Sequence, residues 1–231
     1  MLPDAIEKLD QKRALRALIR RQNLMGLGAY ALLVLPYLRR VTGLEFLDPQ
    51  GRFLLVANHV SLLDTILLGG LCWRRKALPI LVLGDRPVWQ TSWVHSLLSG
   101  PIGFLLERGR LNPARVRELE AFARASRHCQ LIVFPEGTRG DGMHVGPLQP
   151  GLHVIAQEAR IPILPIFIAN MQRVSTKSGR FHPLSGLRQV EVCIGQPVPP
   201  SDYLGLDREV FSKMIRERIQ SLRRQHVEGR M

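Results

Sequence analysis

The sequence predicts an α/β fold, a single domain with a mostly parallel mixed sheet flanked by helices, preceded by an N-terminal helical segment. Two observations support this prediction. From residue 41 onward, short apolar runs of strand length alternate with helical stretches, the element order that builds parallel sheets. The chain has 231 residues, of which 45% are hydrophobic, which is enough for one domain with a full core. We therefore predict a domain at 41–231 and a separate helical unit at 1–40.

Each element of the domain is predicted from its local pattern. Compact apolar runs bounded by turn residues indicate strands, and apolar positions three and four residues apart indicate helices. The clearest helix has Pro113 at its first position and Val116, Leu119 and Ala123 on one face. Strands are predicted at 52–57, 78–83, 102–106, 131–134, 163–168 and 190–194. Helices are predicted at 61–72, 89–98, 113–127, 152–159 and 208–224. Residues 173–187 are predicted to form a polar loop.

The N-terminal unit combines a basic helix with an apolar one. Residues 4–22 have the pattern of a basic amphipathic helix, and 24–38 form an uncharged run of 15 residues closed by Arg39 and Arg40. A membrane-spanning helix needs about 20 apolar residues, so this run suits insertion into one leaflet, with the arginines at the headgroups. The alternative is a helix packed on the protein's own core. The N-terminus lacks the apolar core and cleavage site of a signal peptide.

Charge and cysteine usage narrow the function classes. The net charge of +13 favours polyanionic partners, which include anionic lipids, nucleic acid and acidic proteins. Aromatic residues make up only 6% of the chain, which leaves few platforms for stacking bases. The three cysteines, Cys72, Cys129 and Cys193, stand singly, and we expect buried reduced thiols in a reducing compartment. No metal-ligand spacing is present in the sequence.

The first candidate site follows the predicted strand at 52–57. His59 comes directly after that strand, and Asp64 lies five residues later in the next helix, so its carboxylate can return beneath the ring. A carboxylate in that position accepts the Nδ1 proton and leaves Nε2 free to take a proton from a substrate hydroxyl. Asn58 and Ser61 are predicted to support this pair. The alternative is a capping histidine with a solvent-exposed aspartate.

The second candidate site is the segment FPEGTRG at 134–140, which also follows a predicted strand. Gly137 permits close approach of the backbone to a ligand, and Thr138 offers a hydroxyl. Arg139 offers a planar guanidinium suited to a phosphate. Glu136 is expected to hold that arginine in place or to contact a ligand hydroxyl. A turn with a surface ion pair is the alternative.

Two further clusters complete the pattern. Arg108 and Arg110 follow the strand predicted at 102–106 and are expected to add charge to an anion site, unless they are simply exposed arginines. The segment IPILPI at 161–166 contains no reactive group and predicts a structural strand. Because α/β sheets place ligands at the carboxyl ends of their strands, we expect the candidate sites to share one edge.

Together these clusters resemble the motifs of the glycerolipid acyltransferase family, whose bacterial members include 1-acylglycerol-3-phosphate acyltransferases. Residues 58–64 match the family's first motif, NH followed by four residues and D. Residues 134–139 match the third motif, FPEGTR, without change, and 161–166 match its proline-bounded apolar strand. The resemblance covers roughly residues 41–200, and the order of the motifs along the chain is the family's own.

Two positions depart from the family pattern. Arg108 fits the second motif, counted from Gly103 and Phe104, only with a shift of one residue. Gln149 and Pro150 stand where relatives often have a lysine before a glycine. These departures leave the headgroup of the acceptor open.

The resemblance implies an O-acyltransferase that works without a covalent enzyme intermediate, a metal or a bound cofactor. It implies transfer from acyl-CoA or acyl-ACP, as co-substrate, to the sn-2 hydroxyl of 1-acylglycerol-3-phosphate, which gives phosphatidic acid. His59 would be the general base and Asp64 its orienting partner. Substrate-binding roles would fall to Arg108, Glu136, Gly137, Thr138 and Arg139.

The predicted partners are anionic membrane lipids, a lysophospholipid acceptor and acyl carrier protein, and no nucleic acid is expected. The predicted location is the cytoplasmic face of the inner cell membrane, with peripheral or monotopic attachment. Three alternatives stay open. In the first, the acceptor is another lysophospholipid, a lyso-ornithine lipid or glycerol-3-phosphate. In the second, the His59–Asp64 pair activates water and the protein is a hydrolase. In the third, the chain is a non-catalytic lipid- or nucleic-acid-binding protein.

Overall fold

A computed structural model describes residues 28, 30–85, 103–106, 113–176 and 180–228. Their strands are β1 (Leu38–Thr42), β2 (Arg52–Ala57), β3 (Ile80–Asp85), β4 (Gly103–Leu106), β5 (Cys129–Val133), β6 (Ile163–Ala169) and β7 (Val190–Ile194). Their helices are α1 (Leu63–Arg74), α2 (Pro113–Ala125), α3 (Pro150–Ala159), α4 (Pro200–Tyr203) and α5 (Arg208–Glu228). Two single 3-10 turns, Leu44–Phe46 and Met171–Arg173, join neighbouring elements.

The strands form one sheet in the order β1-β7-β6-β2-β5-β3-β4. Neighbouring strands run parallel except β6 and β7, so the predicted mostly parallel mixed sheet is confirmed. β2, β5 and β6 therefore end at one edge of the sheet. Because β7 runs antiparallel to β6 and parallel to β1, both β7 and β1 begin at that same edge. We call it the upper edge.

The core lies on both faces of the sheet. On one face, Leu55 of β2 belongs to a buried cluster that includes Leu67 and Leu71 of α1. On the other face, Leu54 belongs to a second cluster, to which α2, α3 and α5 contribute, for example through Ile215. Successive strand residues alternate between the two faces, so the apolar runs seen in the sequence are buried on both sides. This three-layer packing holds the central strands, and with them the upper edge, in fixed positions.

Most predicted elements are found within a few residues of their expected positions. The strand predicted at 190–194 coincides with β7, and the strand predicted at 78–83 begins two residues later. The helix predicted at 61–72 begins at Leu63, because the preceding Ser61 stays outside the helix and its carbonyl accepts the N–H of Asp64 at 3.1 Å. The helices predicted at 4–22 and 89–98 lie outside the described residues.

The sequence prediction is wrong for the end of the apolar run 24–38. Residues 34–37 form a turn, and Leu38 already belongs to strand β1. Pro36 explains the difference, since it lacks the N–H that a helix needs and disfavours helical geometry in the residue before it. β1 then pairs in parallel with β7, with Leu38 opposite Val190 and Thr42 opposite Cys193.

The described part of the N-terminal unit has a buried face and an exposed face. Tyr30, Val34 and Tyr37 belong to the core, and the Tyr30 ring lies directly over Gly70. Leu32 lies on the exposed face. None of the helices formed by the described residues combines the length and the hydropathy that a bilayer crossing demands. Membrane association of this unit, and its separation from the domain at residue 40, stay predictions.

All three cysteines are buried and carry reduced thiols, as predicted. Burial raises the pKa of Cys72 to about 12 and that of Cys129 to about 11. Both thiols therefore stay protonated at neutral pH and behave as small apolar side chains.

Candidate active site

The candidate residues meet at the upper edge, where β2 and β5 end side by side. His59 lies two residues beyond the end of β2, and Asp64 lies in the first turn of α1. The segment 134–140 follows β5, which pairs with β2 along its whole length. The predicted convergence of the first two clusters on one edge is therefore confirmed. Arg108 and Arg110 lie outside the described residues.

The contact predicted between His59 and Asp64 is present. His59 Nδ1 lies 2.9 Å from Asp64 Oδ2, and Asp64 is completely buried. The same carboxylate oxygen accepts the backbone N–H groups of Val60 at 2.6 Å and Ser61 at 2.8 Å. The other oxygen, Oδ1, is buried without a hydrogen-bond partner in the described structure. Two neutral donors and the imidazole thus replace the water that Oδ2 gives up on burial.

The imidazole is held in one orientation. Since an ionised carboxylate can only accept, the Asp64 contact places the ring proton on Nδ1 and leaves Nε2 as an acceptor. One face of the ring stacks on Phe134, with centroids 4.2 Å apart and planes inclined by 21°. The side chain is 16% exposed, so the ring is enclosed but can still be reached. This arrangement suits a general base.

Asn58 fixes the end of β2. Its Nδ2 donates to the Ile168 carbonyl at 3.0 Å, and its Oδ1 accepts the Ile168 N–H at 2.7 Å. The buried side chain thus extends the ladder between β2 and β6 beyond its last backbone pair, Ala57 with Ile166. This pair of hydrogen bonds sets the position from which His59 leaves the sheet.

The backbone of His59 is held on both sides by the 134–140 segment. Its N–H donates to Glu136 Oε1 at 3.2 Å, and its carbonyl accepts the Gly140 N–H at 2.6 Å. Glu136 Oε2 accepts the Gly146 N–H at 3.1 Å. A Cβ at Gly146 would lie 2.9 Å from that carboxylate oxygen, so a larger residue there would displace the Glu136 carboxylate. The sequence did not reveal this connection, since Glu136 and His59 are 77 residues apart.

Glu136 is therefore a positioning residue in this geometry. Its carboxylate is buried, and burial raises its pKa above the ordinary value, although the N–H groups of His59 and Gly146 act in the opposite direction. Its direct role in binding substrate stays a prediction. Arg139, predicted to bind phosphate, is half-buried, whereas Gly137 and Thr138 are exposed. Gly137 has a φ of 65°, the left-handed conformation that glycine adopts at little cost.

A cavity of about 410 Å³ borders this segment. Its lining residues are Val60, Glu136, Gly140, Asp141, His144, Gly146, Gln172 and Thr176. Asp141 and His144 form an exposed pair with Oδ2 and Nδ1 2.8 Å apart, and hydrogen bonds from His144 and from the Met143 backbone hold the pKa of Asp141 well below its usual range. This pair is absent from the sequence prediction, although Asp141 followed by Gly142 is a visible turn signal.

Comparison with known proteins identifies the family. The family model described as Acyltransferase matches residues 38–169, which is more than half of the chain. The chain belongs to the acyltransferase family. The matched region contains β1 to β6 and every candidate residue from Asn58 to Arg139.

Individual acyltransferases that are similar to this chain have more specific names. A probable 1-acyl-sn-glycerol-3-phosphate acyltransferase of Mycoplasma pneumoniae is 24% identical over 167 residues, 70% of this chain and 62% of the relative. The 1-acyl-sn-glycerol-3-phosphate acyltransferase of Cocos nucifera is 29% identical over 160 residues, 66% of this chain and 48% of the relative. The chain thus spans less than two thirds of the length of these curated relatives: 62% of the first and 48% of the second.

A solved structure has the same fold. The crystal structure of the 1-acyl-sn-glycerophosphate acyltransferase PlsC from Thermotoga maritima superposes with a TM-score of 0.60 and 21% identity. The match covers 92% of this chain and 83% of that one.

Proposed function

We propose that this chain transfers a fatty acyl group from acyl-CoA or acyl-ACP to the sn-2 hydroxyl of 1-acylglycerol-3-phosphate. The observation that carries the proposal is the 2.9 Å contact between His59 and buried Asp64, which leaves Nε2 free at the upper edge. Family membership and the names of the relatives support the same reaction class. Phosphatidic acid and a free thiol are the products.

The reaction begins with proton transfer from the acceptor hydroxyl to His59 Nε2. The alkoxide oxygen attacks the thioester carbonyl carbon and forms a tetrahedral intermediate. When this intermediate collapses, the C–S bond breaks, and the thiolate takes the proton back from the imidazolium. Asp64 stabilises the imidazolium while it exists, because opposite charges 2.9 Å apart in a buried site attract strongly. No covalent bond to the protein is needed.

The oxyanion needs N–H donors that are not already engaged. The N–H groups of Val60 and Ser61 donate to Asp64, and that of His59 donates to Glu136. In the loop after β5, the N–H groups of Thr138 and Arg139 have no acceptor within the described structure. We assign them as the oxyanion donors, and one such donor is typically worth about 3–4 kcal/mol of transition-state stabilisation.

Arg139 is proposed to bind the acceptor phosphate, together with Arg108. We place the enzyme at the cytoplasmic face of the inner cell membrane, where the surplus of basic residues would be attracted to anionic lipids and to an acidic carrier protein. One observation favours a second candidate with the same mechanism and a different lysolipid acceptor. By the family resemblance, Gln149 stands where relatives often have a lysine, and its Nε2 donates to the Glu136 carbonyl at 3.4 Å.

The test uses purified protein with palmitoyl and oleoyl thioesters and a panel of lysolipids, with the acylated product followed by mass. We expect wild type to convert 1-acylglycerol-3-phosphate to phosphatidic acid, and His59→Ala to form none. His128→Ala, at the opposite end of β5, is the matched control and retains activity. Product from another lysolipid alone would favour the second candidate. Free fatty acid without acylated lipid would contradict acyl transfer and indicate a hydrolase.

A further inference from the structure

Five exposed apolar side chains belong to the two segments that lead into β1 and β7 at the upper edge. We call this group the upper-edge patch: Leu32, Leu35, Phe181, Leu184 and Leu187. Leu184 is 81% exposed and Leu32 is 75% exposed, and the other three are each close to half exposed. Clustered large apolar side chains in water are unfavourable for a soluble domain, and they mark a surface that another phase or molecule covers.

The two segments that form the patch are tied together by the backbone. The Arg188 N–H donates to the Pro36 carbonyl at 3.1 Å, and the Val190 N–H donates to the Tyr37 carbonyl at 2.9 Å. The Tyr37 and Phe181 rings meet edge to face with centroids 5.8 Å apart. The patch is therefore one surface, formed where β1 and β7 begin.

The loop 180–188 is fixed to the body of the protein. The His182 N–H donates to the Val174 carbonyl at 2.7 Å, and Ser185 Oγ donates to the Arg173 carbonyl at 3.3 Å. Gly186 lies so close to Val174 that a Cβ there would come within 2.6 Å of its side chain. Leu184 and Leu187 are thus exposed although the loop that carries them is fixed to the protein by hydrogen bonds and close packing.

Basic residues border the patch on the side of the loop 180–188. The exposed arginines on this loop and on the turn before it are Arg173, Arg180 and Arg188. The loop 180–188 contains no acidic residue. An apolar centre with a basic border matches an anionic bilayer, in which leucines enter the acyl boundary and arginines meet the phosphates. A water-soluble acidic protein would match the border but not the centre.

The patch and the candidate site share the upper edge. β6 ends beside Asn58, and the chain then continues through Gln172 and Thr176, which line the cavity next to Glu136, before it reaches the loop 180–188. A bilayer in contact with the patch would therefore lie on the same side of the sheet as His59.

We propose that the loop 180–188 is a membrane-contact element, which together with Leu32 and Leu35 docks the upper edge on an anionic bilayer. The proposal rests on the proposed function and deepens it. If the upper edge contacts the bilayer, a lysolipid acceptor enters the site directly from the leaflet. It adds a second contact, far along the chain, to the one predicted for the N-terminal unit.

The decisive experiment places an environment-sensitive thiol dye at Leu184→Cys in the full chain. The three native cysteines are buried, so the introduced thiol takes the label. The control is Val210→Cys, half exposed on α5 at the opposite face of the sheet. With phosphatidylcholine vesicles that contain phosphatidylglycerol, we expect a shift to shorter wavelength and a several-fold gain in emission at position 184, weakened by salt, and no change at 210.

Three results overturn the proposal. Emission at position 184 stays unchanged while the protein pellets with the vesicles; the protein does not bind the vesicles; or the shift occurs without vesicles, which indicates self-association. The proposed reaction is tested separately, with acceptor dispersed in detergent. If the dye at position 184 inserts into vesicles but no acceptor is acylated, the result would support the docking surface and contradict the proposed function.

A paired substitution measures how much the leucines contribute. We expect Leu184→Ser with Leu187→Ser to lower the vesicle partition coefficient about tenfold, because two apolar side chains no longer enter the bilayer. Val210→Ser with Val227→Ser is the matched control and leaves partition unchanged. Both double variants retain turnover in detergent. Equal partition of the Leu184/Leu187 variant and wild type would contradict the proposal.

Discussion

Two buried carboxylates in this protein each contact a histidine, and the two pairs differ in what else surrounds the carboxylate. Asp64 lies 2.9 Å from His59 at the upper edge. Glu191, in β7, lies 3.3 Å from His226 of α5. Both histidine side chains are largely enclosed, at 16% and 9% exposure. A search for buried histidine–carboxylate pairs alone would therefore return both.

The difference lies in the remaining partners of each carboxylate. Glu191 also contacts the Arg39 guanidinium at 3.3 Å, so a permanent cation already offsets its charge. The other partners of Asp64 are backbone N–H groups, which carry no net charge. A carboxylate without another cation gains most when its histidine becomes charged, which is the step that a general base undergoes. The first pair suits catalysis, whereas the second links β1, β7 and α5.

A neighbouring cavity does not separate the two pairs. A cavity of about 350 Å³ adjoins Glu191 and His226, and the cavity of about 410 Å³ adjoins Glu136 near the first pair. What separates them is the motif loop, since the backbone of His59 is held by the segment after β5, and none of the hydrogen bonds of that segment involves the backbone of His226 in the described structure.

The largest effect is expected for Asp64→Asn. The neutral amide of asparagine cannot stabilise the imidazolium. Its NH₂ group can also face the Val60, Ser61 or His59 donors, which need an acceptor. We therefore expect kcat to fall by about 10²–10⁴. Initial rates of thioester consumption measure this loss. Asp202→Asn, an exposed change on α4, is the isosteric control. Activity of Asp64→Asn within a few-fold of wild type would contradict the orienting role.

A smaller effect on rate is expected for Glu136→Gln. The amide retains one acceptor oxygen, so either the His59 or the Gly146 N–H loses its partner, and kcat falls by about tenfold through misplacement of His59. Glu158→Gln, an exposed change on α3, is the control. A substrate-binding role would instead raise KM and leave kcat unchanged, so the two kinetic constants distinguish the roles.

Glu136 also gives a pH dependence of stability with a definite sign. Burial raises its native pKa above the ordinary value of 4.5, so the native state holds this proton more tightly than the unfolded chain. Its contribution to the free energy of unfolding is full below that value and is lost as the pH rises through the native pKa. The stability of wild type relative to Glu136→Gln should therefore fall as the pH rises above about 4.5 in denaturant titrations. A rise in relative stability over the same titration would contradict the burial argument.

The smallest effect on activity is expected for Glu191→Gln. Neutralising this buried group weakens its contacts with Arg39 and His226 and lowers the free energy of unfolding by about 1–3 kcal/mol. Turnover should stay within about twofold of wild type, because the pair lies outside the proposed mechanism. Urea unfolding and initial rates measure the two quantities. A loss of turnover as large as that of Asp64→Asn would remove the distinction between the pairs.

The first pair was predictable from the sequence because its spacing is local. The histidine follows an apolar strand, and the aspartate five residues later begins a helix. Local geometry alone brings their side chains together, without long-range packing. The second pair was not predictable, since Glu191 and His226 come together only through packing of α5 on β7. The contact of Glu136 with the His59 backbone was missed for the same reason.

Edge elements were the weakest part of the prediction. β1 contains two arginines in its five residues and pairs with a strand far along the chain, so no local apolar run marks it. The loop predicted as polar at 173–187 contains Phe181, Leu184 and Leu187 among polar neighbours, and only the fold brings this loop against residues 36 and 37. The central strands, with continuous apolar runs, were placed within a few residues.

The most direct test of the central claim compares His59→Gln with His226→Gln. Each substitution removes one histidine from one buried pair and leaves a side chain that can still hydrogen-bond. With acyl thioester and 1-acylglycerol-3-phosphate in detergent, we predict that His59→Gln lowers kcat by at least about 10² and that His226→Gln keeps it within about twofold. Equal losses in the two variants, or a larger loss in His226→Gln, would contradict the assignment of His59 as the base.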